Sequence, residues 1–164
     1  MFNHDTEKDF EVLSWHDNYI YGLHFSIEDF EQGDWRSDLA IDIDHIVDWV
    51  CETDGGCQFR VASATLTFHH VTDLDLAIDW GNSGFQSALH EISISHVSRN
   101  QIQNQKICLD RPYYEWKIAT NFPKYGCLTF GASGFTQVLR AKPILVNEQK
   151  LPPSKRNSHF PPSV

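Results

Sequence analysis

Two stretches in which apolar and acidic residues alternate decide the fold, LAIDID at residues 39–44 and DLDLAIDW at residues 73–80. Successive side chains of a β-strand point to opposite faces, so the leucines and isoleucines share one face and the aspartates share the other. Each stretch is therefore predicted to be a strand with one buried face and one solvated face, as antiparallel sheets allow.

Further segments continue this pattern, because they are short, rich in β-branched and aromatic residues, and bounded by turns such as TDGG at 53–56 and GNSG at 81–84. They are 19–27, 59–71, 89–97, 113–120, 127–130, 135–139 and 144–146. The segment 45–50 has some helical spacing, but its β-branched residues favour a strand. The sequence predicts an all-β, mainly antiparallel fold with little helix, either sandwich-like or a strongly curved sheet.

The length of 164 residues suits one domain with its own core. We expect that domain to span residues 1–148. Residues 149–164 contain four prolines and almost no periodicity, so they are predicted to form a flexible tail.

The chain carries 13 basic and 22 acidic residues, a formal charge of −9. A generally acidic surface repels phosphate, which argues against nucleic acid as a partner. No apolar run is long enough for a membrane span and no secretory signal is recognisable, so we expect a cytoplasmic protein with reduced thiols. The alternative for Cys51 and Cys57, which flank the TDGG turn, is a disulfide across a hairpin.

The aspartates of the two alternating strands are the first candidate site. If the strands are neighbours, their outer faces merge into an anionic surface for a basic protein partner. If they are apart, they are two solvated faces. The residues concerned are Asp42, Asp44, Asp73, Asp75 and Asp79.

Two histidine motifs are the other candidates. His16 precedes Asp17, a pair that can serve as a base with its orienting carboxylate, although adjacent residues cooperate only within a turn. His69 and His70 could contribute to a zinc or nickel site if a third ligand converged on them. The structural alternatives are a local turn for the first motif and ordinary strand positions for the second.

No nucleophile elbow or nucleotide-binding glycine motif occurs, and the cysteines show no zinc-ligand spacing. No cofactor is therefore expected. A small ligand between sheets is a further alternative, in a cavity lined by tryptophans, although aromatic residues on inner faces more often form the core. The tryptophans concerned are Trp15, Trp49, Trp80 and Trp116.

Four segments resemble a family of small uncharacterised bacterial proteins over about residues 15–151, and these segments read WHDN, LAIDIDHIVDWV, ASATLTFHHVTDL and FGASGFTQVLRAKPIL. That family has no assigned activity. The leading His-Asp turn and the strand at 126–132 are similar to some immunity proteins of bacterial toxin systems. This second resemblance implies a protein inhibitor, and neither resemblance identifies functional residues.

These observations favour a non-enzymatic binding protein whose acidic sheet face meets a basic protein, as an immunity-type inhibitor would. The rivals are a metal-binding protein or metal-dependent enzyme that uses His16, Asp17, His69 and His70, and a small-ligand binder. An exposed edge strand could also pair two copies into a homodimer.

Overall fold

Strands account for most of the computed structural model, which describes residues 3–5, 9–33, 36–53, 55–81, 88–103 and 110–156. Two short 3₁₀ helices, Phe30–Gln32 and Pro153–Lys155, interrupt the strands. No helix within these ranges is long and apolar enough to cross a membrane. The strands are β1 (Asn3–Asp5), β2 (Tyr19–Ile27), β3 (Ser37–Cys51), β4 (Cys57–His69), β5 (Thr72–Ala77), β6 (Ile92–Gln101), β7 (Tyr114–Phe122), β8 (Cys127–Ala132), β9 (Gly134–Leu139) and β10 (Ile144–Val146).

All strand pairings are antiparallel, in the order β1-β9-β4-β3-β2-β6-β7-β8-β5, with β10 added beside β4. The predicted all-β antiparallel fold is confirmed. The segment 45–50 is part of strand β3, as predicted.

The sheet curves back on itself at a corner where two strand pairs bend together. On one side of this corner β4 pairs with β9, ending at His69↔Gly134. On the other side β5 pairs with β8, beginning at Thr72↔Gly131. Only a few residues separate β4 from β5, and one residue separates β8 from β9. The sheet therefore folds into two layers at this corner. At the opposite side, a short pairing between β2 and β6 joins the two layers.

The main core fills the space between the layers with the alternating apolar residues of the predicted strands. Aromatic rings pack edge to face within it, with ring centroids 4.7 Å apart for Phe68 and Phe130 and 5.1 Å for Phe68 and Trp116. Its buried members are Trp15, Ile20, Leu39, Ile41, Ile43, Ala64, Leu66, Phe68, Ile92, Ile94, Trp116, Ile118, Leu128, Phe130, Ala132 and Phe135.

A second, smaller core lies on the outer side of β3 and β4, where the C-terminal segment covers the sheet. It joins Ile46, Phe59 and Val61 to Leu151, whose exposed fraction is 3%. Leu151 and Arg156 of the predicted flexible tail therefore contact the domain, while residues 152–155 between them are exposed. The remainder of that tail, residues 157–164, lies outside the described residues.

Cys51 and Cys57 form a disulfide across the β3–β4 hairpin, where they are direct register partners. The structure differs here from the expected reduced thiols, because antiparallel register places the two side chains within bonding distance. Cys127 is a partly buried free thiol, and Cys108 lies outside the described residues.

Candidate functional site

The predicted acidic surface does not form, because its two strands are not neighbours. Along the sheet, β2, β6, β7 and β8 separate β3 from β5. Asp42 and Asp44 are also fully buried, with exposed fractions of 0%. Strand β3 is central, and both of its faces are covered. The alternating pattern therefore predicted correctly which side chains share a face, but it did not predict that the acidic face is buried.

The basic partner of Asp44 is Arg156 of the same chain. Arg156 donates from Nε to both carboxylate oxygens, at 3.2 and 3.1 Å, and from Nη2 to Oδ2 at 2.7 Å. The backbone N–H of Leu151 donates to Oδ2 as well, at 3.2 Å. Burial raises the pKa of the Asp44 carboxyl group, while the Arg156 guanidinium opposes that rise. This buried ion pair fastens the C-terminal segment to the outer face of β3.

Asp42 lies in the same polar layer and accepts a hydrogen bond from Thr65 Oγ1 at 2.7 Å. Its Oδ2 is 3.6 Å from His24 Nε2. A Cβ atom at Gly22 would come within 3.2 Å of that oxygen, so the glycine makes room for the carboxylate. The neighbouring Tyr21 ring lies 4.6 Å below the Arg156 guanidinium, and burial raises the pKa of the Tyr21 hydroxyl. The layer is an internal network.

Asp73, Asp75 and Asp79, in contrast, are exposed to solvent. Asp73 adopts a left-handed conformation, with φ of 52°, inside a register shift between Thr72 and Asp75. Such a bulge twists an edge strand. Asp79 accepts the backbone N–H of Gly81 at 2.8 Å, which closes the turn after the strand. These three aspartates are the part of the predicted surface that a partner could reach.

His16 and Asp17 form a turn that ties the N-terminal region to the rest of the domain. His16 Nδ1 donates to the Ser95 carbonyl oxygen at 2.7 Å, and Nε2 lies 3.5 Å from Asp17 Oδ2. Asp17, with φ of 60°, accepts hydrogen bonds from Asn121 at 2.7 Å and Gln149 at 3.0 Å. Its carboxylate therefore already holds two amides, an arrangement typical of a structural turn.

His69 and His70 occupy the corner between β4 and β5, and their rings contact different partners. His69 Nδ1 donates to Asp38 Oδ2 at 2.9 Å, and its Nε2 lies 3.1 Å from Thr136 Oγ1. His70 Nδ1 lies 2.8 Å from Ser133 Oγ. Since the Ser133 hydroxyl also donates to the His69 carbonyl oxygen, at 3.3 Å, we assign the proton between Ser133 and His70 to the His70 ring.

The backbone of His70 is fixed as firmly as its ring. It adopts a left-handed conformation with φ of 57°. Its N–H donates to Asp38 Oδ1 at 3.1 Å and its carbonyl oxygen accepts from Tyr113 Oη at 2.8 Å. Backbone strain of this kind persists where the surroundings hold it in place, and it often marks functional sites.

A polar cleft of about 320 Å³ opens at this corner. It does not include His16 or Asp17, so the structure does not bring the two predicted histidine motifs into one pocket. Sequence analysis missed the two arginines of the cleft, because neither stands near a histidine in the chain. The lining residues are Ser26, Glu28, Arg36, Ser37, Asp38, His69, His70 and Arg111.

The metal alternative lacks a third ligand. Within the described residues, no three His, Cys, Asp or Glu side chains converge closely enough to hold a metal ion. At the corner, His69 Nδ1 is directed at Asp38 and His70 Nδ1 at Ser133, which are separate interactions rather than a shared centre.

The four tryptophans of the small-ligand alternative do not line one cavity. Trp15 and Trp116 are buried in the main core, and Trp49 packs on Phe59 near the surface. Trp80 borders a shallow depression and donates from Nε1 to the His90 carbonyl oxygen. Trp15, Trp49 and Trp80 border three different cavities, so the structure does not bring the tryptophans together around one ligand.

No family model, curated protein or solved structure matches this chain. The resemblance to uncharacterised bacterial proteins and to immunity proteins thus stays a prediction.

Proposed function

We propose that this chain is a non-enzymatic binding protein that docks a basic protein partner along the exposed edge of β5. One observation carries the proposal: Asp73 and Asp75 remain solvent-exposed on a strand that ends the sheet, and Asp79 is exposed in the turn that follows it. Three carboxylates within seven residues, two on the strand and one in the turn after it, attract lysine and arginine side chains and repel acidic partners.

The edge of β5 offers main-chain hydrogen bonds as well as charge. In the described part of the chain, β5 pairs with β8 along one side and with no strand along the other. An open edge of this kind can accept an added strand from another protein. Two copies pairing through this edge would bring aspartates against aspartates, which disfavours a homodimer formed there.

Exposed apolar side chains lie beside the acidic edge. The pair Ala77↔Cys127 brings the end of β5 next to the β7–β8 turn. Tyr125 stands in this turn with an exposed fraction of 97%, and Leu76 and Phe122 are 44% and 46% exposed. Aromatic residues next to charges are frequent anchors of protein interfaces.

Charge also protects edge strands from aggregation, so the same aspartates support a purely protective role. The two roles predict different behaviour when the charges are removed. A docking edge loses its partner, whereas a protective edge loses solubility.

The test is affinity capture with the wild-type chain and with the variant D73N/D75N/D79N. The wild type should retain a specific basic protein at low salt and release it near 1 M salt, where the screening length falls to roughly 3 Å. The variant should retain at least about tenfold less of that protein, because several charge pairs are lost together.

The control is E11Q/E52Q/E148Q, which removes three exposed carboxylates outside β5 and its neighbours β8 and β7 and changes net charge equally. It should bind like the wild type. Equal capture by the β5 variant and the wild type would refute the proposal. Aggregation of the β5 variant without loss of a partner would assign the aspartates to edge protection.

An immunity-type inhibitor is the form of this function that the resemblance implies, and its basic partner would be a toxin. The expected cytoplasmic location stays a proposal, and the Cys51–Cys57 disulfide opposes it because reducing compartments rarely keep such bonds. Mass measurement after alkylation of the protein, isolated from its natural source without reductant, would decide whether the bond persists there.

A further inference from the structure

The polar cleft at the β4–β5 corner has a composition unlike the rest of this acidic protein. Arg36 enters it from just before β3, and Arg111 from the segment before β7. Glu28 and Asp38 contribute two carboxylates. The lining thus comes from four separate parts of the chain, and two of them place a guanidinium group beside the His69–His70 corner.

At His70, the carboxylate of Asp38 does not cancel the positive charge of Arg111. Asp38 is already occupied by the His69 ring, at 2.9 Å, and by the His70 backbone N–H, at 3.1 Å. The pKa of the His70 imidazole is lowered, first by burial and then by the positive charge of Arg111, with His69 and Arg36 acting in the same direction and Asp38 opposing them. The positive charge of Arg111, which acts on His70 more strongly than the carboxylate of Asp38, favours an added negative charge in the cleft.

The corner is also rigid enough to act as a receptor. The backbone of His70 is held at both its N–H and its carbonyl oxygen, and its Nδ1 is held by Ser133. Because Nδ1 already contacts Ser133, a ligand would bind the ring at Nε2. A group fixed before binding loses little conformational entropy when the ligand arrives.

We propose that this cleft binds the phosphate group of a small molecule. Arg36 and Arg111 would contact the phosphate oxygens, because guanidinium groups match phosphate in shape and charge. His70, protonated at Nε2 on binding, would donate a further hydrogen bond. The volume of about 320 Å³ leaves room for a small organic group beside the phosphate. The net charge of −9 disfavours a nucleic acid polymer as its source.

Inorganic phosphate is a suitable probe, and the His70 ring resonance is a local reporter. We would titrate His70 by NMR in phosphate and in chloride at equal ionic strength, assigning its signal by its loss in H70Q. In chloride the His70 pKa should lie below the ordinary value for histidine. Phosphate should raise it, because a bound anion stabilises the imidazolium.

Arg111→Gln separates a built site from general screening. It should weaken phosphate binding at least about tenfold, as expected for lost charge-assisted hydrogen bonds. In chloride it should raise the His70 pKa, because a nearby positive charge is removed. Lys117→Gln removes one exposed positive charge from β7, outside the cleft lining, and should change neither result.

Three outcomes would overturn the proposal. The first is an identical His70 titration in phosphate and chloride. The second is equal weakening of binding by the Arg111 and Lys117 variants, which would indicate nonspecific attraction. The third is an equal effect of acetate at the same concentration, which would show that the cleft does not select phosphate. Backbone amide spectra of both variants would confirm that the fold is kept.

Discussion

Replacing Arg156 with glutamine is expected to destabilise the domain far more than loss of a residue near the C-terminus usually would. The guanidinium makes three hydrogen-bond contacts to Asp44, at 2.7, 3.1 and 3.2 Å. The Asp44 side chain is 0% exposed and that of Arg156 is 10% exposed. Glutamine removes the charge and leaves a buried carboxylate without its counter-ion.

The expected loss of unfolding free energy at neutral pH is about 3–5 kcal/mol, the range for breaking a buried pair by removing one partner. An exposed pair would contribute at most about 1 kcal/mol. Most of this loss comes from the stranded charge, so D44N/R156Q should be more stable than R156Q alone by at least about 1 kcal/mol. Arg156→Lys should fall between wild type and R156Q, since it keeps the charge but loses the paired geometry.

The deficit should depend on pH in a definite direction. Burial raises the pKa of Asp44 in the folded protein, and removing Arg156 takes away the main influence that lowers it. A group with a raised folded pKa favours folding while protonated, so this contribution is lost as pH rises through the folded pKa. The difference between wild type and R156Q should therefore be smallest below about pH 4, near the unfolded pKa of aspartate, and should widen towards neutral pH.

Urea unfolding followed by tryptophan fluorescence measures these differences, with the disulfide kept oxidised. With a slope of about 2 kcal/mol per molar urea, the R156Q midpoint should fall by about 1.5–2.5 M. A loss below about 1 kcal/mol, unchanged between pH 4 and pH 7, would refute a buried charge pair. It would also show that residues 149–156 are not fastened to β3 by this contact.

Three smaller predictions concern the same outer face and the hairpin beside it. Leu151→Ala should cost about 2–4 kcal/mol in urea unfolding, whereas the half-exposed Leu145→Ala should cost under about 1 kcal/mol; equal losses would contradict the second core. Thr65→Val should cost about 1.5–3 kcal/mol, because Asp42 loses a buried donor at 2.7 Å, and a neutral result would show that this bond is dispensable. Cys57→Ser should lower stability by roughly 2 kcal/mol under oxidising conditions and by nothing in reductant, as a short disulfide loop implies.

The strands could be predicted from sequence because their signal is local. Predicted segments 19–27 and 144–146 coincide with β2 and β10. The predicted strand at 73–80 is shorter in the structure, Thr72–Ala77, and the one at 89–97 begins at Ile92. These strand ends depend on turn geometry and on the bulge in β5, which the two-residue periodicity of the sequence does not reveal.

The candidate sites were harder to predict because they depend on distant parts of the chain. Asp42 and Asp75 have the same sequence pattern, yet one is buried in a central strand and the other is exposed on an edge. Arg156 and Asp44 are 112 residues apart in the sequence, so no local sequence pattern predicts their contact. His70 was recognisable as a candidate, but its partners Ser133 and Arg111 were not.

The sequence by itself determined which side chains share a face of each strand, because the two-residue repeat of an extended backbone is independent of its neighbours. Tertiary structure alone decided which of those faces meets water, since that depends on strand order and on what lies across the sheet. For this chain the C-terminal segment covers β3 and leaves β5 open, so the same aspartate pattern became an internal anchor in one strand and an exposed edge in the other.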